Sequence, residues 1–336
     1  MDLINAIVAL LNFVLIPATA YGAQLALGAL GVTLIYGILR FSNFAHGDTM
    51  AFGTTITILF TWLFQSMGIS FGPLPTALIA LPFGIAGCAL LLLMTDRVVF
   101  RFYRAQKAVP VILVIVSMGV MFVYNGLVRF IIGVDTQRFA DGERFIISAR
   151  DFKEMTGLDE GLALKSTQAI TLVVAAVAVA LLFWFLNRTR TGKSMRAFSD
   201  NEDLALLSGI NPERVVMVTW LIVAALATIA GTLYGLDKSF KPFTYFQLLL
   251  PIFASAIVGG LGSPVGAIAG GFVIAYSEVM ITYAWKKVAG YVLPESLAPD
   301  SLAQLLSTDY KFAVSFAILV VVLLFKPTGL FKGKSV

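Results

Sequence analysis

Residues 242–277 read PFTYFQLLLPIFASAIVGGLGSPVGAIAGGFVIAYS, a run without Asp, Glu, Lys, Arg or His. A helix rises about 1.5 Å per residue, so about 20 residues cross the ~30 Å hydrocarbon core of a bilayer. The run is long enough for two crossings, and Gly259-Gly260-Leu261-Gly262-Ser263-Pro264 interrupts it. It predicts a Gly-rich pair near 246–285, either two helices or a broken pair meeting inside the membrane. In lipid, backbone polar groups must be satisfied within the protein, so no other arrangement is open.

The rest of the chain repeats this pattern. Of its 336 residues, 59% are hydrophobic and 13% charged. Soluble domains are about 45–50% apolar and about 25% charged. The composition excludes a soluble enzyme, a disordered chain and a nucleic-acid-binding module, and implies contact with membrane lipid. Residues 3–39 are free of charge and too long for one straight crossing, with a break expected at Pro17 and Gly22. Residues 49–95 are also charge-free, and Gly68, Gly72, Pro73 and Pro75 divide them into two helices. Further spans read at 109–131, 168–187, 213–236 and 311–326. The expected fold is an all-α polytopic membrane protein with about 8–10 transmembrane helices, a single transmembrane domain over residues 1–336. The apolar run 3–16 and Ala18-Thr19-Ala20 together imitate a signal peptide. The only charge before the run is Asp2, so the segment reads as retained.

Orientation follows from the loops, because basic residues favour the cytoplasmic side. Arg97, Arg101, Arg104 and Lys107 place the loop after the 74–95 helix inside. Residues 133–167 carry seven acids (Asp135, Asp141, Glu143, Asp151, Glu154, Asp159, Glu160) and five bases, one crossing further on. They read as an extracytoplasmic loop, long enough for a small amphipathic element. Residues 188–213 return inside with Arg188, Arg190, Lys193 and Arg196. Lys326, Lys332 and Lys334 put the C-terminus inside as well, as expected of a multi-pass protein of a bacterial inner membrane.

Enzyme signatures are scarce. The chain has one histidine, His46, and one cysteine, Cys88, which reads as a small buried hydrophobe. Gly192-Lys193-Ser194 and Gly333-Lys334-Ser335 imitate a phosphate-binding loop. The first has Asn187 where a glycine is required, and the second ends the chain with no helix to follow. No catalytic residue, metal site or cofactor is expected. If ATP drives this protein, another polypeptide hydrolyses it.

Three features remain. Arg40-Phe41-Ser42-Asn43-Phe44-Ala45-His46-Gly47-Asp48 is a polar corner between apolar helices. It reads as the lining of the inner mouth of a pathway, through Asn43 and His46, or as a plain corner with Asp48 capping the next helix. In the inner loop, Ser199-Asp200-Asn201-Glu202 has the spacing of a capping box, in which Ser199 and Glu202 satisfy each other's backbone donors. Leu204 and Leu207 form an apolar stripe and Gly209 ends the element. The helix 199–209 reads as a solvated connector or as a docking helix for a cytoplasmic partner. Gly262, Gly266 and Gly270, four residues apart, allow helices to approach closely. With Gly259 and Gly260 they read as tight packing, or as a broken helix beside a substrate path.

At these places the chain resembles the LivH-type permease subunits of branched-chain amino acid ABC importers. The matching stretches are Asn43-Phe44-Ala45-His46-Gly47, Arg190 to Ala230 (with TGKSMRAFSDNEDLALLSGINPERVVMVTW, 191–220, within it), Ile257 to Ala267 and Lys326-Pro327-Thr328-Gly329-Leu330. The resemblance implies a pore shared with a second, LivM-like permease subunit, two cytoplasmic ATPase subunits and a periplasmic substrate-binding protein. It makes 199–209 the coupling helix, with Ser199, Asp200, Glu202, Leu204, Leu207 and Gly209 as its residues. The cargo it implies is a branched-chain or related amino acid. Two departures stand out: a long apolar run before Tyr21, and a long connection from 285 to 309 containing Pro294 and Pro299. An ion-coupled secondary transporter is the alternative, with Asp48 and Glu278 as its coupling carboxylates.

Overall fold

The computed structural model describes residues 2–139, 141–292 and 304–331. Pro294, Pro299, Lys332, Lys334 and Gly333-Lys334-Ser335 lie outside the described residues. The described residues are helical almost throughout. α1 (Asp2–Leu10) runs through a wide π turn, Leu11–Leu15, into α2 (Ile16–Leu39). There is no break at Pro17 or Gly22, contrary to the sequence expectation. Pro17 lacks an N–H, and its ring would collide with the carbonyl four residues back. The wider π turn immediately before it removes that collision, so the helix continues. The composite helix Asp2–Leu39 is 38 residues long, about 57 Å at the usual rise.

α3 (His46–Ser66) and α4 (Ala77–Thr95) flank the Gly/Pro-rich turn, as expected. α4 continues through a second π turn, Asp96–Phe100, into α5 (Arg101–Ala105). α6 (Pro110–Ile132) leads to the 133–167 loop, which holds β1 (Phe145–Ile147), α7 (Ala149–Thr156) and β2 (Leu164–Lys165). The two strands pair antiparallel, Phe145 opposite Lys165. α8 (Ser166–Arg188), α9 (Arg190–Asp200), α10 (Glu202–Leu207) and α11 (Pro212–Lys238) follow. α12 (Pro242–Gly259) and α13 (Pro264–Thr282) are two helices of 18 and 19 residues, joined by the turn 260–263. α14 (Lys286–Val292) and α15 (Lys311–Phe325) are the last two α-helices among the described residues.

Among the described residues seven helices are long and apolar enough to cross a membrane: Asp2–Leu39, Ala77–Ala105, α6, α8, α11, α12 and α13. α15 is apolar and shorter. α3 has 21 residues, but its many threonines dilute its hydropathy. Those threonines are buried, and Thr49, Thr54, Thr55, Thr57 and Thr61 each donate to the carbonyl four residues back at 2.8–2.9 Å. A hydroxyl satisfied by its own helix can be packed against apolar neighbours without a desolvation penalty.

The bundle is built around α2. Every residue from 20 to 35 is buried. Helices α8, α9, α11, α12 and α13 all pack on it. Its glycines face different neighbours. A Cβ on Gly28 would come 2.9 Å from Ile252 of α12, and one on Gly22 would come 2.6 Å from Phe272 of α13. From α13, Gly271 lies against the backbone of Ala26. Between α12 and α13, Gly259 and Gly266 face each other's carbonyls and Gly270 faces that of Ser255. Apolar burial gives helices little reason to associate in lipid, so close approach of this kind supplies the contacts.

Two ties hold the layer at the other end from α9 and α10. Gln137 and Phe240 exchange backbone hydrogen bonds of 2.7 and 2.9 Å, fixing the 133–167 loop to the α11–α12 turn. Glu160 accepts from Lys287 Nζ and Tyr291 Oη, both at 2.7 Å, joining the loop to α14. Burial alone would raise the Glu160 carboxyl. The hydrogen bonds from Lys287 and Tyr291, with the charges of Lys287 and Lys153, outweigh it and hold the group below its usual value.

Gly270→Leu should disrupt the α12–α13 contact, since overpacking costs about 1–3 kcal/mol even against movable side chains. Its thermal midpoint in detergent should fall well below that of Gly119→Leu, because nothing lies within 4 Å of Gly119. A depressed carboxyl stabilises the fold above its unfolded pKa and loses that contribution as pH falls through the folded value. Lowering the pH from about 7 to about 4 should therefore cost the wild type more thermal stability than Glu160→Gln.

Candidate coupling and translocation site

At one end of the bundle, α9 begins at Thr189, whose hydroxyl accepts from Gly192 N at 3.0 Å. Lys193 lies in the first turn of this helix rather than in a phosphate loop. The capping box expected at Ser199 and Glu202 is absent. Ser199 is inside α9, and the cap of α10 is Asn201, whose side chain accepts from Leu204 N at 3.1 Å. The amide oxygen of Asn201 reaches the third residue, as a capping serine would. The sequence pattern therefore placed the cap two residues early. α10 ends as expected at Gly209, with φ +78° and bonds from Gly209 N to Leu206 O and Ile210 N to Ala205 O. Asn211 caps α11 by accepting from Arg214 N at 3.2 Å.

α10 buries Ala205 and exposes its leucines, Leu204 by 60% and Leu207 by 86%. Asp200 and Glu202 are exposed beside them. Inward, Met195 and Phe198 of α9 are buried. The Arg40 guanidinium donates to Ser199 O at 2.5 Å. Arg40 ends α2 in the left-handed region, φ 59°. Gly37 leaves room for Ser199, whose Oγ would be 3.2 Å from an added Cβ. A cavity of about 180 Å³ is lined here by Thr33, Gly37, Ser199, Asp200, Gly262 and Pro264. The structure thus brings the glycine turn against α9 and the end of α2.

That turn is occupied. Gly260 and Gly262 have φ of +113° and +84°. Leu330 N and Phe331 N donate to Val258 O and Gly259 O at 2.8 and 3.1 Å. Leu330, at the end of the Lys326–Leu330 stretch, and Phe331 after it therefore take carbonyls that the end of α12 leaves open. Ser263 caps α13, accepting from Gly266 N at 3.1 Å.

The polar corner lies deeper than its position after α2 suggests. Asn43 Oδ1 accepts from Ala45 N at 3.1 Å and turns the chain. Phe44 then packs on Phe253 of α12, ring centroids 5.2 Å apart. The His46 imidazole is fully buried against α2, 2.5 Å from where a Cβ on Gly31 would sit. Gly31 is nine residues, about 13 Å, before Arg40. Asp48 does not cap α3; it accepts from Asn125 Nδ2 of α6 at 2.7 Å.

The second carboxylate of note, Glu278 of α13, accepts from Ser315 Oγ of α15. It lines a cavity of about 240 Å³ with Tyr21, Tyr234, Lys238 and Lys311, near the opposite end from α9. Asn125 and Arg129 were not singled out from the sequence. Their signal was present, as the one amide and the one charged side chain of a largely apolar span. Among the described residues no group of three His, Cys, Asp or Glu side chains could hold a metal.

Residues 14–323 match the family described as "Branched-chain amino acid transport system / permease component". The chain is 28% identical to the high-affinity branched-chain amino acid transport system permease protein LivH of Salmonella typhimurium, over 92% of this chain and 91% of that one. It is 27% identical to the corresponding permease protein BraD of Pseudomonas aeruginosa, over 94% of both. It is 29% identical to a probable LivH of Methanocaldococcus jannaschii, over 81% of both. With a match extending through nearly every helix described above, the chain belongs to the permease-component family of branched-chain amino acid transport systems.

Proposed function

We propose that this chain forms half of the translocation pathway of an ATP-driven importer of branched-chain or related amino acids. The match of residues 14–323 to a permease family carries this reading. Its partners are a second, LivM-like permease subunit, two cytoplasmic ATPase subunits and a periplasmic substrate-binding protein. The end with α9 and α10 faces the cytoplasm, as does the C-terminus, and the 133–167 loop faces outward. The charges support this: Arg188, Arg190, Lys193 and Arg196 gather at the first end, and the acids of 133–167 at the other.

In this reading α9 and α10 form the coupling element, and Leu204 and Leu207 enter a groove of the ATPase. Exposed leucines on a polar surface support that assignment, since a helix with no partner gains nothing from them. Displacement of α9 reaches the pathway through Arg40, which holds Ser199 O, and through α2, which carries His46 on its flank. Asn43 and His46 then lie along the route of the conformational change. Gly259, Gly260 and Gly262 form the inner wall beside α9. ATP-driven closure of the ATPases favours one of two permease conformations, and the pathway opens alternately to the two sides.

Replacing Leu204 and Leu207 together by Asp should leave membrane insertion intact and uncouple ATP hydrolysis from uptake, cutting transport at least roughly tenfold. Normal uptake by that double variant, measured with labelled leucine in vesicles, would refute the docking role. Uptake by the wild type should persist when the ion gradient is collapsed and stop when ATP is withdrawn. The reverse result would establish an ion-coupled transporter instead.

A further inference from the structure

On the face formed by α3, α6 and α12 lies an open recess of about 240 Å³. Asp48, Asn125 and Arg129 line it, with Phe122, Phe243 and Phe246. Asp48 is only 1% exposed. Its Oδ1 accepts from Asn125, and its Oδ2 has no hydrogen-bond partner among the described residues. A buried carboxylate oxygen without a donor is costly. Asp237 Oδ1 and Glu278 Oε2 are in the same state, and what distinguishes Asp48 is that it shares its recess with Arg129. Arg129 stands one turn beyond Asn125 on the same side of α6, and is the only charged residue of that helix. Charged groups within a membrane-spanning helix face a protein interior or an aqueous cavity rather than lipid. Phe243 and Phe246 belong to the first two turns of α12, close to the bridge between Gln137 and Phe240. The recess therefore opens near the end of the bundle that carries the 133–167 loop.

One wall offers a negative charge, another a positive charge, and three aromatic rings supply the remainder. We propose that this recess binds a zwitterionic amino acid with an apolar side chain as it enters the pathway. Asp48 Oδ2 receives the ammonium group, Arg129 the carboxylate, and the three phenylalanines the side chain. The inference rests on the importer reading above and gives it a specific contact site. The two opposite charges are needed because each removes one charged end of the zwitterion from water, and an apolar wall alone would leave both unpaired.

The test uses the purified complex of both permeases with its ATPases, without the binding protein, and competition for labelled leucine. The competitors are unlabelled leucine, isoamylamine, which lacks the carboxylate, and 4-methylpentanoate, which lacks the ammonium. The wild type should prefer leucine to both. Arg129→Gln should weaken leucine binding roughly tenfold to a hundredfold and lose the preference over isoamylamine, and Arg129→Lys should restore most of it. Asp48→Asn should lose the preference over 4-methylpentanoate. A purely structural defect would weaken all three ligands together. If Asp48→Asn does not assemble, the exposed Arg129 variants decide the matter alone. The inference is overturned if the variants keep the wild-type preferences, or if a complex competent in ATP-driven leucine uptake shows no such binding. Absence of leucine uptake by the complete wild-type importer would overturn the importer reading itself.

Discussion

Close packing around α2 is the constraint from which the rest of the structure follows. A helix buried on all sides in a membrane protein gains little from being apolar, since lipid is apolar too. Its cohesion comes from the approach of neighbouring backbones, and that requires small residues at particular positions. Gly22, Gly28, Gly31 and Gly37 each meet a different element: α13, α12, the His46 ring and α9. Larger residues at these positions would push apart helices that come from distant parts of the chain.

The same environment dictates how polar groups are handled. The threonines of α3 return their hydroxyls to their own helix. The carbonyls at the end of α12 are taken by the segment after α15, so two distant stretches of sequence form one capped turn. Asp96 accepts from the Trp220 indole at 2.7 Å and from Arg104. Among the described residues nine buried side-chain atoms have no hydrogen-bond partner, and three of them are carboxylate oxygens, Asp48 Oδ2, Asp237 Oδ1 and Glu278 Oε2. Of these three, Asp48 lines the recess with Arg129, and in our proposal a ligand completes its oxygen there.

Central position also makes α2 a means of transmission. At one end it is held to α9 through Arg40 and Gly37. Midway it supports the His46 ring, two residues before Asp48. Near the other end Tyr21 and Glu278 line the same cavity. In the mechanism proposed above, a shift of α9 along or across α2 reaches both carboxylates with no direct contact between them and the α9–α10 end. Packed interfaces move between discrete arrangements rather than deforming continuously, which suits a two-state transporter.

Charge-free runs and Gly/Pro interruptions determined the helices, because lipid tolerates neither charge nor open backbone. The spans at 109–131, 168–187 and 213–236 lie within two residues of α6, α8 and α11. The capped starts at Asn211 and the stop at Gly209 were legible for the same local reason. Three things were not. The expected break at Pro17 became a π turn, because neighbours packed on all sides of α2 keep that helix continuous. The cap at Ser199 moved to Asn201, because α9 runs on through Ser199 while its Met195 and Phe198 are buried in the bundle. The depth of His46 and Asp48, and the meeting of Asp48 with Asn125 and Arg129, depend on residues about 80 positions apart. Periodicity and capping act over one or two turns of chain. Which helix face meets which neighbour is decided by close packing of the whole bundle, and only the tertiary structure records it.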